Sequence, residues 1–184
     1  MNMNKREELK LVVDRAVKGL PWCGDLALQK MVYLLQSVYG VDMGYEFGYH
    51  HMGPYSFDLA DDLSIGVLSG EWVRESKPIA NGRYWVNQYQ VTSEVPADGP
   101  LFQQVETALG KLLEQFKAQN DQADGRRFEL VATIHYLREV QEVPEDELEG
   151  VLRALKPKYS KDEFQEGVRQ LNLLKQSATE MANA

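Results

Sequence analysis

The chain predicts a mainly α, α+β protein with one β-hairpin and four C-terminal helices. Three observations carry that expectation. Apolar residues recur at helical spacing over most of the 184 residues. Two neighbouring segments, 72–77 and 83–92, hold Trp, Tyr and Val and flank Asn81-Gly82, a hairpin-type dipeptide. Beyond a Pro- and Gly-containing linker at 94–99 every periodic segment is helical. The expected organisation is a single compact domain over 1–176, with halves 1–95 and 100–176, and a frayed tail at 177–184.

The first helix is expected over 5–18, where Leu9, Val12, Val13 and Ala16 share a face. Gly19-Leu20-Pro21 stops it, because proline cannot continue the hydrogen-bond ladder. Asp25 is the expected N-cap of a second helix over 26–38. Leu28, Met31, Val32, Leu35 and Val38, widened by Tyr33 and Leu34, give that helix a continuous apolar face and place it near the core. Tyr45 to Tyr49 alternates with period two and reads as a strand. Gly53-Pro54 reads as a corner, and Ser56 as the cap of a third helix carrying Leu59, Leu63 and Val67.

Pro100 opens a helix with Phe102, Val105, Leu109, Leu112, Leu113 and Phe116 at near-heptad spacing. A polar loop at 119–125 precedes a helix marked by Phe128, Val131, Ile134 and Leu137. Pro144 starts the next, with Leu148, Val151, Leu152 and Leu155 as its stripe. Ser160 and Glu163 form a capping box ahead of Phe164, Val168, Leu171 and Leu174. Three helices followed by a β-hairpin is the plan of a winged helix, so the N-terminal half is expected to be winged-helix-like.

Composition narrows the function classes. Hydrophobic residues are 43% and charged residues 26%, ordinary values for a soluble globular protein. Net charge is -8, shared evenly between 1–99 (9 Lys/Arg, 13 Asp/Glu) and 100–184 (11 and 15). The clustered Lys and Arg of nonspecific nucleic-acid binding are missing. Met31–Leu35 is the longest purely apolar run, too short to cross a bilayer. The polar N-terminus lacks the apolar stretch of a secretory signal. A lone Cys23 excludes an internal disulfide and a Cys-only metal site. A cytoplasmic location is expected.

Leu28-Gln29-Lys30-Met31-Val32-Tyr33-Leu34-Leu35, Gly53-Pro54-Tyr55-Ser56 and the following Leu59, Asp62 and Leu63 resemble the uncharacterised YwgA-like proteins. More distantly they resemble the antitoxin-associated Panacea (SocA-like) domain. Phe128 to Leu137 and Lys156-Pro157 before Ser160 extend the likeness over roughly 8–175. Met52 departs from the aromatic expected before Gly-Pro. The resemblance implies a small helical, winged-helix-like bacterial or archaeal protein and, from the Panacea side, partner proteins such as toxins. It implies no catalytic residues.

Candidate chemistry is sparse. His50-His51 on a strand would point to opposite faces and so not share a metal. A third ligand would have to come from Asp58, Asp61, Asp62 or His135. Asp58, Asp61, Asp62 and Glu46 could form an acidic site but read first as a solvated helix face. Cys23 beside Trp22 reads as a packing residue. Tyr33, Tyr45, Phe47, Tyr49, Tyr55 and Trp72 read as core, with a partial groove as the functional alternative. The expected function is a non-enzymatic protein-interaction module of antitoxin-like or regulatory kind, without a cofactor or metal. Its contacts are Tyr49, His51, Met52, Tyr55, Asp58 and Asp62, and its acidity calls for a partner with a basic patch. One alternative is a winged-helix DNA-binding regulator using Arg74, Lys77 and Arg83, although its third helix bears Asp58, Asp61 and Asp62 and no Lys or Arg. Another is a metal-dependent hydrolase using His50 or His51.

Overall fold

The computed structural model describes residues 3–20, 23–79, 84–92, 95, 100–116 and 124–183. Pro21, Trp22, Asn81-Gly82, Arg83, the linker apart from Val95, and 119–123 of the polar loop lie outside them. The elements run α1 (Met3–Gly19), α2 (Asp25–Ser37), β1 (Gly48–His50), β2 (Gly53–Tyr55), α3 (Phe57–Leu68), β3 (Trp72–Ile79) and β4 (Tyr84–Val91). Then come α4 (Pro100–Phe116), α5 (Asp124–His135), a π-helical turn (Tyr136–Val140), α6 (Leu148–Leu155) and α7 (Lys161–Ala182). This is the mainly α, α+β fold that periodicity predicts. Among the described residues no helix is long and apolar enough to cross a membrane.

α2 is the axis of the molecule. Ala27 through Leu35 are all buried, a full circumference rather than a stripe. It packs on α1, α3, α4, α5 and β2, so one hydrophobic core spans both halves of the chain. Across that core Phe116 of α4 stacks on Phe128 of α5 at 3.8 Å. The seam of α4 faces inward, with Val105, Leu109, Leu112 and Phe116 sealed from water. It is a core contact rather than a coiled-coil face.

The long hairpin pairs antiparallel from Trp72↔Val91 to Ile79↔Tyr84 and packs on α1. Trp72 anchors it: the ring is fully buried, and its Nε1 donates to the Leu63 carbonyl at 2.9 Å. Gly66 makes that seat, because a Cβ there would lie 1.9 Å from the indole.

Local differences from the sequence reading have physical causes. α2 is capped by Gly24, not Asp25, because the Asp25 carboxylate is taken by Asn87 Nδ2 (2.6 Å) and the Tyr89 hydroxyl of β4. Ser56 does cap α3, accepting from the Leu59 N–H, and Ser160 and Glu163 form the full capping box of α7. The acidic run after Pro144 is a turn, and α6 begins only at Leu148. The last helix does not end at 177. α7 continues to Ala182, where Ala178 and Met181 pack on the core and Lys111 Nζ reaches the Ser177 carbonyl. Strand pairing begins at Gly48, not Tyr45. Gly53-Pro54 is itself strand β2, paired Tyr49↔Pro54 and His50↔Gly53, and the turn falls at His51-Met52. Tyr45 is instead held by Gln36, whose amide bonds both its N–H (3.0 Å) and its carbonyl (2.8 Å).

Candidate functional site: a buttressed hairpin and its aromatic groove

The short β1–β2 hairpin has only three residues per strand, too few to hold itself in water. Side chains from beneath hold it. Gln29 of α2 accepts from the Ser56 N–H (2.9 Å) and donates to the Ser56 carbonyl (2.8 Å). Gln29 and Gln36 stand two helical turns apart on α2 and clasp the two ends of the segment 45–56 in the same way. Between these clasps, fully buried Lys30 donates to the Pro54 carbonyl at 2.5 Å. Lys156 donates to the His51 carbonyl at 2.6 Å. Gly53, at φ +85°, lies against Thr133 of α5, so a Cβ would sit 2.4 Å from its Oγ1.

One of these supports, Lys156, belongs to a buried charge network. Lys156 Nζ also donates to Glu129 Oε1 (2.7 Å), and Lys158 Nζ donates to Oε2 (2.7 Å). Glu129 and Lys156 are both almost wholly buried. Each polar group here is needed by another, since a buried charge without a partner costs several kcal/mol. Burial pushes the Lys30 ammonium down to about 7, partly countered by the Glu129 charge and reinforced by Lys156.

An aromatic floor continues from the network. The Tyr33 hydroxyl and His135 Nδ1 share a hydrogen bond at 2.8 Å. Burial lowers His135 to about 4, so it is a neutral histidine within the core. The π-helical turn sets Tyr136 against both Tyr33 and Tyr49, with ring centres 6.2 Å and 5.7 Å away.

Outside, the hairpin and α3 present a groove of about 400 Å³. Phe47, Tyr49, His50, Tyr55 and Phe57 supply its rings, and Glu46 and Asp58 its carboxylates. Phe57 stands at 75° to Tyr55 and 86° to His50, forming a corner. Burial, aided by the Asp25 and Asp61 charges, raises the Tyr55 hydroxyl above the usual phenol range. Along the outer side of α3, Phe57 (72% exposed), Asp61, Ile65 and Leu68 (87%) form one solvent-facing stripe.

The expected contacts divide. Tyr49, His51, Met52, Tyr55 and Asp58 lie on or beside the hairpin with some or much of their surface open. Asp62 does not belong with them: it is buried, accepting from the Tyr45 hydroxyl at 3.0 Å. Asp62 is therefore not part of a solvated helix face with Asp58 and Asp61, which are exposed. The aromatic set also divides. Tyr33, Tyr45 and Trp72 are core, while Phe47, Tyr49 and Tyr55 line the groove. The rings of His50 and His51 are 4.1 Å apart instead of on opposite faces, because His51 already lies in the turn. Among the described residues, no three His, Cys, Asp or Glu are placed to hold a metal ion. Cys23 is buried. Of the alternative basic set, Arg74 bonds Tyr89 and Lys77 is 3.7 Å from Glu75.

Phe57, Glu129, Lys156 and Gln29 escaped the reading of single motifs. One signal was available: the quoted helix, Gly-Pro, Phe128–Leu137 and Lys-Pro stretches each contribute a group to this site. Comparison of the chain with models of known protein families and with curated proteins gave no match.

Proposed function

We propose that the protein is a non-enzymatic interaction module that docks a partner protein on the outer face of β1–β2 and the start of α3. One observation carries this reading: buried Gln29, Lys30 and Lys156 hold a hairpin of two three-residue strands whose outer side is an open aromatic groove. A fixed, exposed aromatic surface loses little conformational entropy on binding, and interfaces are enriched in such rings. Phe57, Ile65 and Leu68 extend it along α3. The chemical groups beneath the hairpin are sealed from solvent and serve as supports. The YwgA-like and Panacea-like resemblance, with its antitoxin-like or regulatory role, agrees with this reading and is part of the proposal.

The winged-helix-like order of α1, α2, α3 and β3–β4 would on this view be a scaffold for protein contacts. Asp58 and Asp61 on the open side of α3 would repel phosphates. The test is affinity capture from the native host, with and without nuclease, comparing wild type with Tyr55→Ser and Phe57→Ser. A stoichiometric protein that survives nuclease and is lost from both variants is expected. Unchanged associations in both folded variants would refute the reading. Recovery of DNA as the retained species would favour the DNA-binding regulator instead.

A further inference from the structure

The groove has a chemistry more specific than hydrophobic contact. Its lining combines aromatic rings with two carboxylates and contains no Lys or Arg. Phe57 meets Tyr55 and His50 nearly at right angles, with ring centres 5.1 Å and 6.5 Å away. Such a corner offers one ring face for stacking and a second for lateral contact. Ring faces attract cations through their quadrupole, and carboxylates add a directional acceptor. The chain already pairs cations with rings in this way. Lys5 lies 3.8 Å from the Tyr45 ring centre, and the Arg126 guanidinium 4.6 Å from that of Tyr159.

We propose that this groove receives an arginine side chain of the partner protein, its guanidinium packed in the corner of Tyr55, His50 and Phe57 and facing Glu46 and Asp58. The proposal rests on the interaction reading above and specifies its partner chemistry. Arginine is favoured over lysine because a guanidinium is planar, stacks flat on a ring and presents its N–H donors in the ring-parallel plane. A lysine ammonium is a strongly hydrated point charge and would use only part of this geometry. Charge complementarity points the same way. The chain carries -8 overall, exposed Asp58 lines the groove, and the charge of exposed Asp61 acts on the Tyr55 hydroxyl.

The probe is the capped tripeptide acetyl-Gly-Arg-Gly-amide, titrated into the full chain while the aromatic carbon–proton resonances of His50, Tyr55 and Phe57 are followed by NMR. Its citrulline and lysine counterparts are titrated in parallel; citrulline keeps the shape and removes the charge. Saturable shifts are expected for the arginine peptide, with binding at least fivefold weaker for the other two. Phe57→Ser and Asp58→Asn should each weaken the arginine peptide by a similar factor. Phe57 is mostly exposed, so its replacement leaves the core intact, and an unchanged melting curve verifies this. No saturable shift, equal binding of the citrulline or lysine peptide, or full binding by both variants would overturn the proposal. Affinity capture separates the two claims. If the peptide fails while a native partner is still lost from Tyr55→Ser and Phe57→Ser, only the arginine assignment falls.

Discussion

The two hairpins solve the same problem in opposite ways. β3–β4 has eight paired positions per strand and is held largely by its own ladder. Trp72 at one end, and the bonds from Asn87 and Tyr89 to Asp25, then fix it to the helices. β1–β2 has three paired positions and is held by side chains from elsewhere in the chain, with the buried polar groups of Gln29, Lys30 and Lys156 bonding its backbone or the Ser56 that follows it. A hairpin held by its ladder tolerates change at any one contact. A hairpin held from beneath depends on each support, and its position becomes a property of the whole core. That is the arrangement needed for a surface that must keep one shape.

The largest expected difference comes from the charge network. Lys156→Met leaves Glu129 buried with Lys158 alone and should cost roughly 3 kcal/mol or more in urea unfolding. A second change, Glu129→Leu, should return much of that loss. Truncation in the long hairpin, Asn87→Ala, removes a bond to Asp25 and an exposed one from Ser76 and should cost about 1–2 kcal/mol, the net value of those hydrogen bonds. Equal costs for Lys156→Met and Asn87→Ala would break the contrast.

Acid should act on the short hairpin through its floor. His135 binds its proton near pH 4 in the folded chain, against 6.5 ordinarily. Between those values the unfolded chain binds more protons, so stability falls as pH falls. The contribution is complete above about 6.5 and lost through 4, and is worth about 3 kcal/mol. Glu8 opposes it: burial, with Asp42 and Glu7, raises its carboxyl to about 6, which favours the folded state as pH falls from 6 to 4.5. Comparing wild type with His135→Gln at pH 7 and pH 4 isolates the histidine. Their difference in unfolding free energy should shrink by about 3 kcal/mol. Amide exchange over 48–55 should rise before exchange over 72–79.

A smaller and sharper contrast lies in two left-handed glycines. Gly53 and Gly70 have φ of +85° and +73°, but only Gly53 has a neighbour where a Cβ would go. Gly70→Ala should cost about 1 kcal/mol, the conformational penalty alone. Gly53→Ala should cost about 2–3 kcal/mol, because Thr133 must also move. Adding Thr133→Ser should leave that cost in place, since Oγ remains, while Thr133→Ala should relieve the contact part. Thermal unfolding of the four variants reads both terms. Equal penalties at 53 and 70 would show that the short hairpin yields where it was expected to be fixed.

Sequence pattern located the long hairpin through Trp, Tyr and Val flanking Asn81-Gly82. It missed β1–β2 because Gly53-Pro54 carries strong local turn chemistry. Local preference was overruled there by Gln29 and Lys30, which bind the carbonyls of Ser56 and Pro54 and hold them extended. The same limit hid the site. Gln29, Lys30 and Gln36 look like ordinary polar positions on an apolar helix until neighbouring elements cover every side of it. Asp62 is the reverse case: a carboxylate that reads as solvated is turned inward by Tyr45, seventeen positions earlier.

By itself the amino-acid sequence determined the mainly α plan, the order of helices and the capping of α3 and α7, because periodicity and capping act within one or two turns. It also determined the acidic balance and the location of the long hairpin. Only the tertiary structure decided which polar groups are buried, that Gly53-Pro54 is a strand, that α7 continues past 177, and that five rings meet at one groove. Those outcomes depend on contacts between residues up to 105 positions apart, such as His51 with Lys156, and no local pattern encodes which distant side chain will satisfy a buried carbonyl.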